Sequence, residues 1–146
     1  MMYFAYGSNM DLEQMKARCP GTRVMGVAHL SHYRMAFTRW SRSWKSGTAD
    51  ILPDFGKTVF GALYDLSLDD LKKMDKFADY PNSYIRQDVF VNFGDERLPA
   101  LTYVARRLGV FLPSKSYIGK MVRGAESHEI SEEYITYLKS IKTHDE

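Results

Sequence analysis

The segment Tyr6-Gly7-Ser8-Asn9 is the first place in this chain where residue types and spacing could do chemistry. It follows an apolar run, Met2 to Ala5, and precedes a helix-like pattern from Asp11 to Arg18. Where a strand ends and a helix begins, unpaired backbone N–H groups concentrate. Gly7 lets the chain turn tightly and lets a ligand approach the backbone, and Ser8 and Asn9 add small polar groups. Such a loop can seat a carboxylate or another anion. The same residues also make a plain turn with a helix cap, and the loop alone does not separate the two.

Other candidate chemistry is thin. Gly7-Ser8 lacks the second glycine of a hydrolase nucleophile elbow, and there is no phosphate loop or dinucleotide fingerprint. His29 and His32 lie three residues apart without a further ligand nearby, so no metal is expected. Trp40 and Trp44 sit among Arg39, Arg42 and Lys45. Interleaved aromatic and basic residues can hold single-stranded nucleic acid. A net charge of only +2, from 20 basic and 18 acidic residues, argues against nucleic acid or an anionic membrane surface as partner.

These residues need a frame. With 146 residues, 45% of them hydrophobic, the chain suits one domain spanning 1–146 with a real core. The single cysteine, Cys19, excludes an internal disulfide and suits a reducing, cytoplasmic setting. No apolar run is long enough to span a bilayer, and the N-terminus does not read as a signal peptide.

The pattern predicts strands at Met2–Ala5, Val24–Leu30, Tyr33–Thr38, Ala49–Leu52 and Thr58–Leu66. A hairpin of Tyr84–Phe93 with Leu98–Val104 follows. Arg39–Gly47 reads as a basic, serine-rich loop. Helices are predicted after Asp11, Ser67, Ser114 and Ser131, each able to cap, with the third ending at Gly124. Six or seven strands that do not alternate with four short helices make an α+β fold and argue against a doubly wound parallel sheet.

"YFAYGSNM" resembles the strand-and-loop signature of the γ-glutamylcyclotransferase family. The resemblance continues in order through "GTADILPDFGKTVFGALYDLS", "MDKFADYPNSYIRQDVFV" and "PSKSYIGKMVRGAESHEISEEYITYL", covering most of the chain. It implies a small mixed β-barrel with helices packed around it. It further implies an enzyme, without a cofactor, that cyclises a γ-glutamyl group to 5-oxoproline and releases an amine or amino acid. The partner would be that small γ-glutamyl substrate. Members often pair as homodimers.

The resemblance assigns substrate binding to Tyr6, Gly7, Ser8 and Asn9, and to the pocket tyrosines Tyr84 and Tyr117. Read on their own, these tyrosines would equally be core residues. The family's proton carrier is a glutamate in a Leu-Asp-x-x-Glu-Gly context. Here that stretch reads Met74-Asp75-Lys76-Phe77-Ala78-Asp79, which puts Ala78 at the glutamate position. A methyl group carries no proton. This chain is therefore either a natural member without the carboxyl or a glutamate-to-alanine variant. Asp79 is the nearest substitute, but in a continuous helix it points about 100° away from Ala78. γ-Glutamyl amino acids, γ-glutamyl amines, glutathione and modified antibiotics with a γ-glutamyl cap are all candidate substrates. The end blocks look closest to the branch acting on γ-glutamyl amino acids, with Arg39–Gly47 expected to help choose the leaving group.

Overall fold

The computed structural model describes residues 1–145. Among them five strands close into a barrel: β1 (Met2–Ala5), β2 (Arg23–Ser41), β3 (Ser46–Asp65), β4 (Tyr84–Phe93) and β5 (Glu96–Ala105), in the spatial order β1-β3-β2-β4-β5. β1 is the closing stave. It pairs antiparallel with β3, Met2 opposite Asp65 through Ala5 opposite Ala62, and parallel with β5, Tyr3 opposite Leu101. The barrel is therefore mixed, as expected of the α+β class.

The main departure from the sequence reading lies in β2 and β3. The expected short strands are two long ones, because bulges absorb the polar interruptions instead of ending the pairing. The largest irregularity lies between Ser31 and Tyr33, where His32 adopts a φ of 67° and residues 54–57 of β3 drop out of register before pairing resumes at Pro53. Another lies between Phe37 and Arg39. Arg39–Gly47 is accordingly not a loop. Trp40 pairs with Gly47 and Ser41 with Ser46, leaving only Arg42–Lys45 as the turn.

Four helices pack around the barrel: α1 (Leu12–Arg18), α2 (Leu68–Phe77), α3 (Lys115–Ser127) and α4 (Glu132–Ser140). Ser67, Ser114 and Ser131 cap α2, α3 and α4 through side-chain oxygens that accept from the amides of Asp70, Tyr117 and Tyr134. Asp11 does not cap α1 with its side chain. Its buried carboxylate instead takes Lys120 at 3.1 Å and Arg123 at 3.5 Å, both from α3. Nor does α3 end at Gly124. It continues to Ser127, and Gly124 is a contact point: a Cβ there would lie 2.3 Å from the carbonyl carbon of Met10. Helix α3 therefore rests directly on the backbone that follows β1.

The core holds Phe4, Ile51, Leu63, Tyr64, Met74, Met121 and Leu138, all essentially inaccessible to water. It joins the barrel interior to the inward faces of all four helices, including Met15 of α1 and Ala125 of α3.

Candidate functional site

The chain leaves β1 at Ala5, passes Tyr6 and Gly7, and makes one turn of 3-10 helix over Ser8–Met10. The Met10 amide donates to the Gly7 carbonyl (3.1 Å) and the Asp11 amide to that of Ser8 (3.0 Å). The carbonyls of the turn are tied down. Tyr64 Oη donates to the Asn9 carbonyl (2.7 Å), and His128 Nε2 lies 3.0 Å from that of Met10. No turn or loop bond runs from the amides of Gly7, Ser8 or Asn9 to a backbone carbonyl among the described residues, and Ser8 meets the Tyr117 hydroxyl through both its amide and its side chain. A Cβ on Gly7 would lie 3.2 Å from Tyr117 Oη and 3.3 Å from Ala49 Cβ, so a side chain there would press on the cavity wall by a few tenths of an ångström.

Gly7, Ser8 and Asn9 line a cavity of about 520 Å³. Every residue that the sequence and its resemblance assigned to the site borders it: Tyr6, Gly7, Ser8, Asn9, Ala78, Asp79, Tyr84 and Tyr117. The tyrosine hydroxyls are held by the protein. Tyr6 Oη donates to the Tyr103 carbonyl. Tyr84 Oη donates to the Ala49 carbonyl (2.9 Å) and lies 2.7 Å from Thr48 Oγ1. Tyr117 Oη accepts from the Ala49 amide (3.0 Å). Burial pushes all three hydroxyls above the usual tyrosine range, so they stay protonated. Their rings wall the cavity, and Trp44 packs edge-on against Tyr117, ring centroids 5.2 Å apart.

Across the cavity, α2 ends in a Schellman motif. The Asp79 amide donates to the Lys76 carbonyl (3.1 Å) and the Tyr80 amide to that of Asp75 (2.9 Å). Asp79, which stands where the Leu-Asp-x-x-Glu-Gly pattern has glycine, takes a left-handed φ of 49°. Because the helix stops at Phe77, the wheel argument that turned Asp79 away from Ala78 does not hold, and Asp79 does reach the cavity edge. Its carboxylate is nonetheless exposed and accepts from Ser83 Oγ (2.7 Å). Ala78, half-buried, follows Met74 by one helical turn, and both line the cavity.

Three side chains escaped sequence reasoning. Arg18 lines the cavity and donates from Nη1 to Asn9 Oδ1 (3.0 Å). Gln14 Nε2 donates to the same oxygen (3.0 Å) and to Ser8 Oγ (3.0 Å). Their spacing of four was the available signal, since it puts both on one face of α1. Tyr103 also lines the cavity, and its hydroxyl donates to Asp75 Oδ1 (2.6 Å). Burial disfavours the Asp75 carboxylate. Hydrogen bonds from Arg86 and Tyr103 outweigh that and hold it below the usual carboxylate range. No group of three or more metal-ligating side chains occurs among the described residues.

The domain is a closed mixed barrel whose first loop, tyrosines and arginines border one cavity. Residues 3–121 match the family described as Gamma-glutamyl cyclotransferase, AIG2-like, and the chain belongs to that family. It is 27% identical over 150 residues to the Gamma-glutamylcyclotransferase of Bos taurus and 26% identical over 150 residues to that of Homo sapiens. Both alignments cover 99% of this chain and 80% of the relative. A solved structure named Gamma-glutamyl cyclotransferase superposes with a TM-score of 0.94 at 26% identity, covering 99% of this chain and 89% of that one. Family and relatives together support γ-glutamylcyclotransferase-type activity.

Proposed function

We propose that the cavity holds a γ-glutamyl amino acid or amine, curled so that its α-amine faces its own γ-carbonyl. The reaction forms a bond from the α-nitrogen to the γ-carbonyl carbon and breaks the bond from that carbon to the leaving nitrogen. The α-ammonium gives up two protons on becoming the ring N–H. Both end on the departing nitrogen, so the products are 5-oxoproline and the released amine as its ammonium ion. Holding both reacting groups in one bent conformer can lower the barrier by roughly 7–11 kcal/mol in favourable cases. The amides of Gly7–Asn9 serve the glutamyl end, and Tyr6, Tyr84 and Tyr117 serve as walls. Lone, buried and unbridged Cys19 is in keeping with a reducing cytoplasm.

The observation that carries this reading is the shared cavity of the loop after β1 and residue 78. The test is titration calorimetry with γ-glutamyl-alanine, expected to give saturable one-to-one binding that Gly7→Val abolishes. Absence of binding to the parent protein overturns it.

One observation favours a second reading, a binder of γ-glutamyl or other small acidic metabolites that does not turn them over: residue 78 ends in a methyl group. Asp79 is a poor replacement, being solvated and engaged by Ser83. Asparagine tolerates the same left-handed backbone. Asp79→Asn should therefore change any residual 5-oxoproline formation far less than the ~10²-fold that marks loss of a positioned proton carrier. Chromatographic product assays at saturating substrate measure this, and a loss of that size would make Asp79 the proton carrier.

A further inference from the structure

Arg18 differs from every other cation of the cavity. Arg39 makes one bond, to the Arg106 carbonyl (2.9 Å), at an exposed contact, and Arg42 and Lys76 are exposed. Arg18 is half-buried, and burial lowers its pKa, a sign that its charge lacks water. It also lacks a counter-ion. Among the described residues the arginine ion pairs are Arg23–Asp65, Arg34–Asp54, Arg86–Asp75, Arg107–Asp50 and Arg123–Asp11, and Arg18 makes none.

Its position is nevertheless built. Asn9 Oδ1 accepts from Arg18 Nη1 and Gln14 Nε2, while Asn9 Nδ2 donates to Tyr3 Oη (3.1 Å), so the amide is oriented from both ends. The guanidinium lies 4.7 Å from the ring centroid of Phe77, the residue before Ala78. A guanidinium has five N–H donors in a planar fork that matches a carboxylate, and here a single bond is made within the protein. A partly dehydrated, oriented and unpaired fork in a cavity is a carboxylate receptor awaiting its anion.

We infer that Arg18 receives the α-carboxylate of the bound γ-glutamyl group, with Asn9 and Phe77 holding its guanidinium in register. This rests on the γ-glutamyl reading of the cavity. The α-carboxylate and the α-amine share one carbon, so fixing the first places the nucleophile. The loop amides alone supply dipoles; Arg18 supplies the full opposing charge.

The test uses two probes. γ-Glutamyl-ethylamide carries the α-carboxylate as its only acid, and its α-carboxamide analogue carries none. Calorimetry should show the parent protein preferring the acid. Arg18→Gln should lose about 10- to 100-fold in affinity for the acid and bind the carboxamide as the parent does. Arg18→Lys, which keeps the charge without the fork, should retain part of the preference. Equal weakening of both probes in Arg18→Gln, with a lowered melting temperature, would mean a structural role and overturn the inference. An unchanged affinity for the acid would do the same. If neither γ-glutamyl-ethylamide nor γ-glutamyl-alanine binds the parent protein, the reading of the cavity itself fails, an outcome distinct from binding that ignores Arg18.

Discussion

Ala78→Glu will raise 5-oxoproline formation from γ-glutamyl-alanine by about 10²–10⁴-fold over the parent protein at saturating substrate, the usual worth of a positioned acid–base group. The geometry says where the new carboxyl would go. Residue 78 caps α2, and a side chain there lies back over the preceding turn, which carries Met74. Met74 Sδ lies 3.3 Å from Asn9 Nδ2, so that direction leads to the loop after β1. Met74 and Phe77 are apolar neighbours. Such surroundings disfavour a bare carboxylate and raise its pKa toward the range useful for proton transfer. Single-turnover assays with quantified product measure the gain. Unchanged product formation by a folded Ala78→Glu protein that still binds substrate would remove position 78 from the chemistry. The alanine protein, in contrast, should hold unreacted substrate, since the methyl group takes away bulk and adds no clash.

The second large effect is on stability, and it has opposite signs at two glycines of one helix. At Gly124 a Cβ would lie 2.3 Å from the Met10 carbonyl carbon and 2.5 Å from the Asp11 amide nitrogen. Backbone cannot swing aside as a side-chain tip can. Gly124→Ala therefore pushes α3 off the 3-10 turn and should cost about 3 kcal/mol or more, the upper range for overpacking. At Gly119 nothing lies within 4 Å of an added Cβ. There alanine removes only the entropic penalty of glycine inside a helix, and Gly119→Ala should add about 0.5–1 kcal/mol. Urea denaturation of the three proteins gives both values. Gly124→Ala should also bind γ-glutamyl-alanine more weakly, because the displaced backbone is the one that carries the Gly7–Asn9 amides. Equal stability of the two variants would mean that the contact of α3 with the turn is looser than described.

The parts of the molecule that were legible in the sequence are those governed by neighbours along the chain. Met2–Ala5 emerges as β1 with its expected bounds, and the three serine caps follow from local hydrogen-bonding chemistry. The β4–β5 hairpin was readable from its alternation and from Gly94, which takes a φ of 59°. What stayed hidden depends on partners far away. The polar stretch around His32 reads as a break, yet pairing with β3 resumes at Tyr33 opposite Pro53. Gly47 reads as part of a loop, but it gives room to the carbonyls of Phe111 and Leu112, which would lie 1.7 Å and 3.0 Å from a Cβ. Asp11 looks like a cap because nothing local reveals Lys120 and Arg123. Arg18 looks like an ordinary basic residue in a last helical turn, and only the closed barrel brings Asn9 and Phe77 to it. The loop after β1 had two readings from its composition, and the family resemblance, not periodicity, favoured one of them.

The hollow is walled by stretches scattered from Tyr3 to Tyr117. It has no compartment of its own and comes into being only when β1 locks between β3 and β5. A partly folded chain thus offers a metabolite nothing to grip, rather than a weaker version of the same grip. Any molecule lodged there acts as a rivet through the whole domain, and its departure and the loosening of the sheet draw on one common cooperative unit.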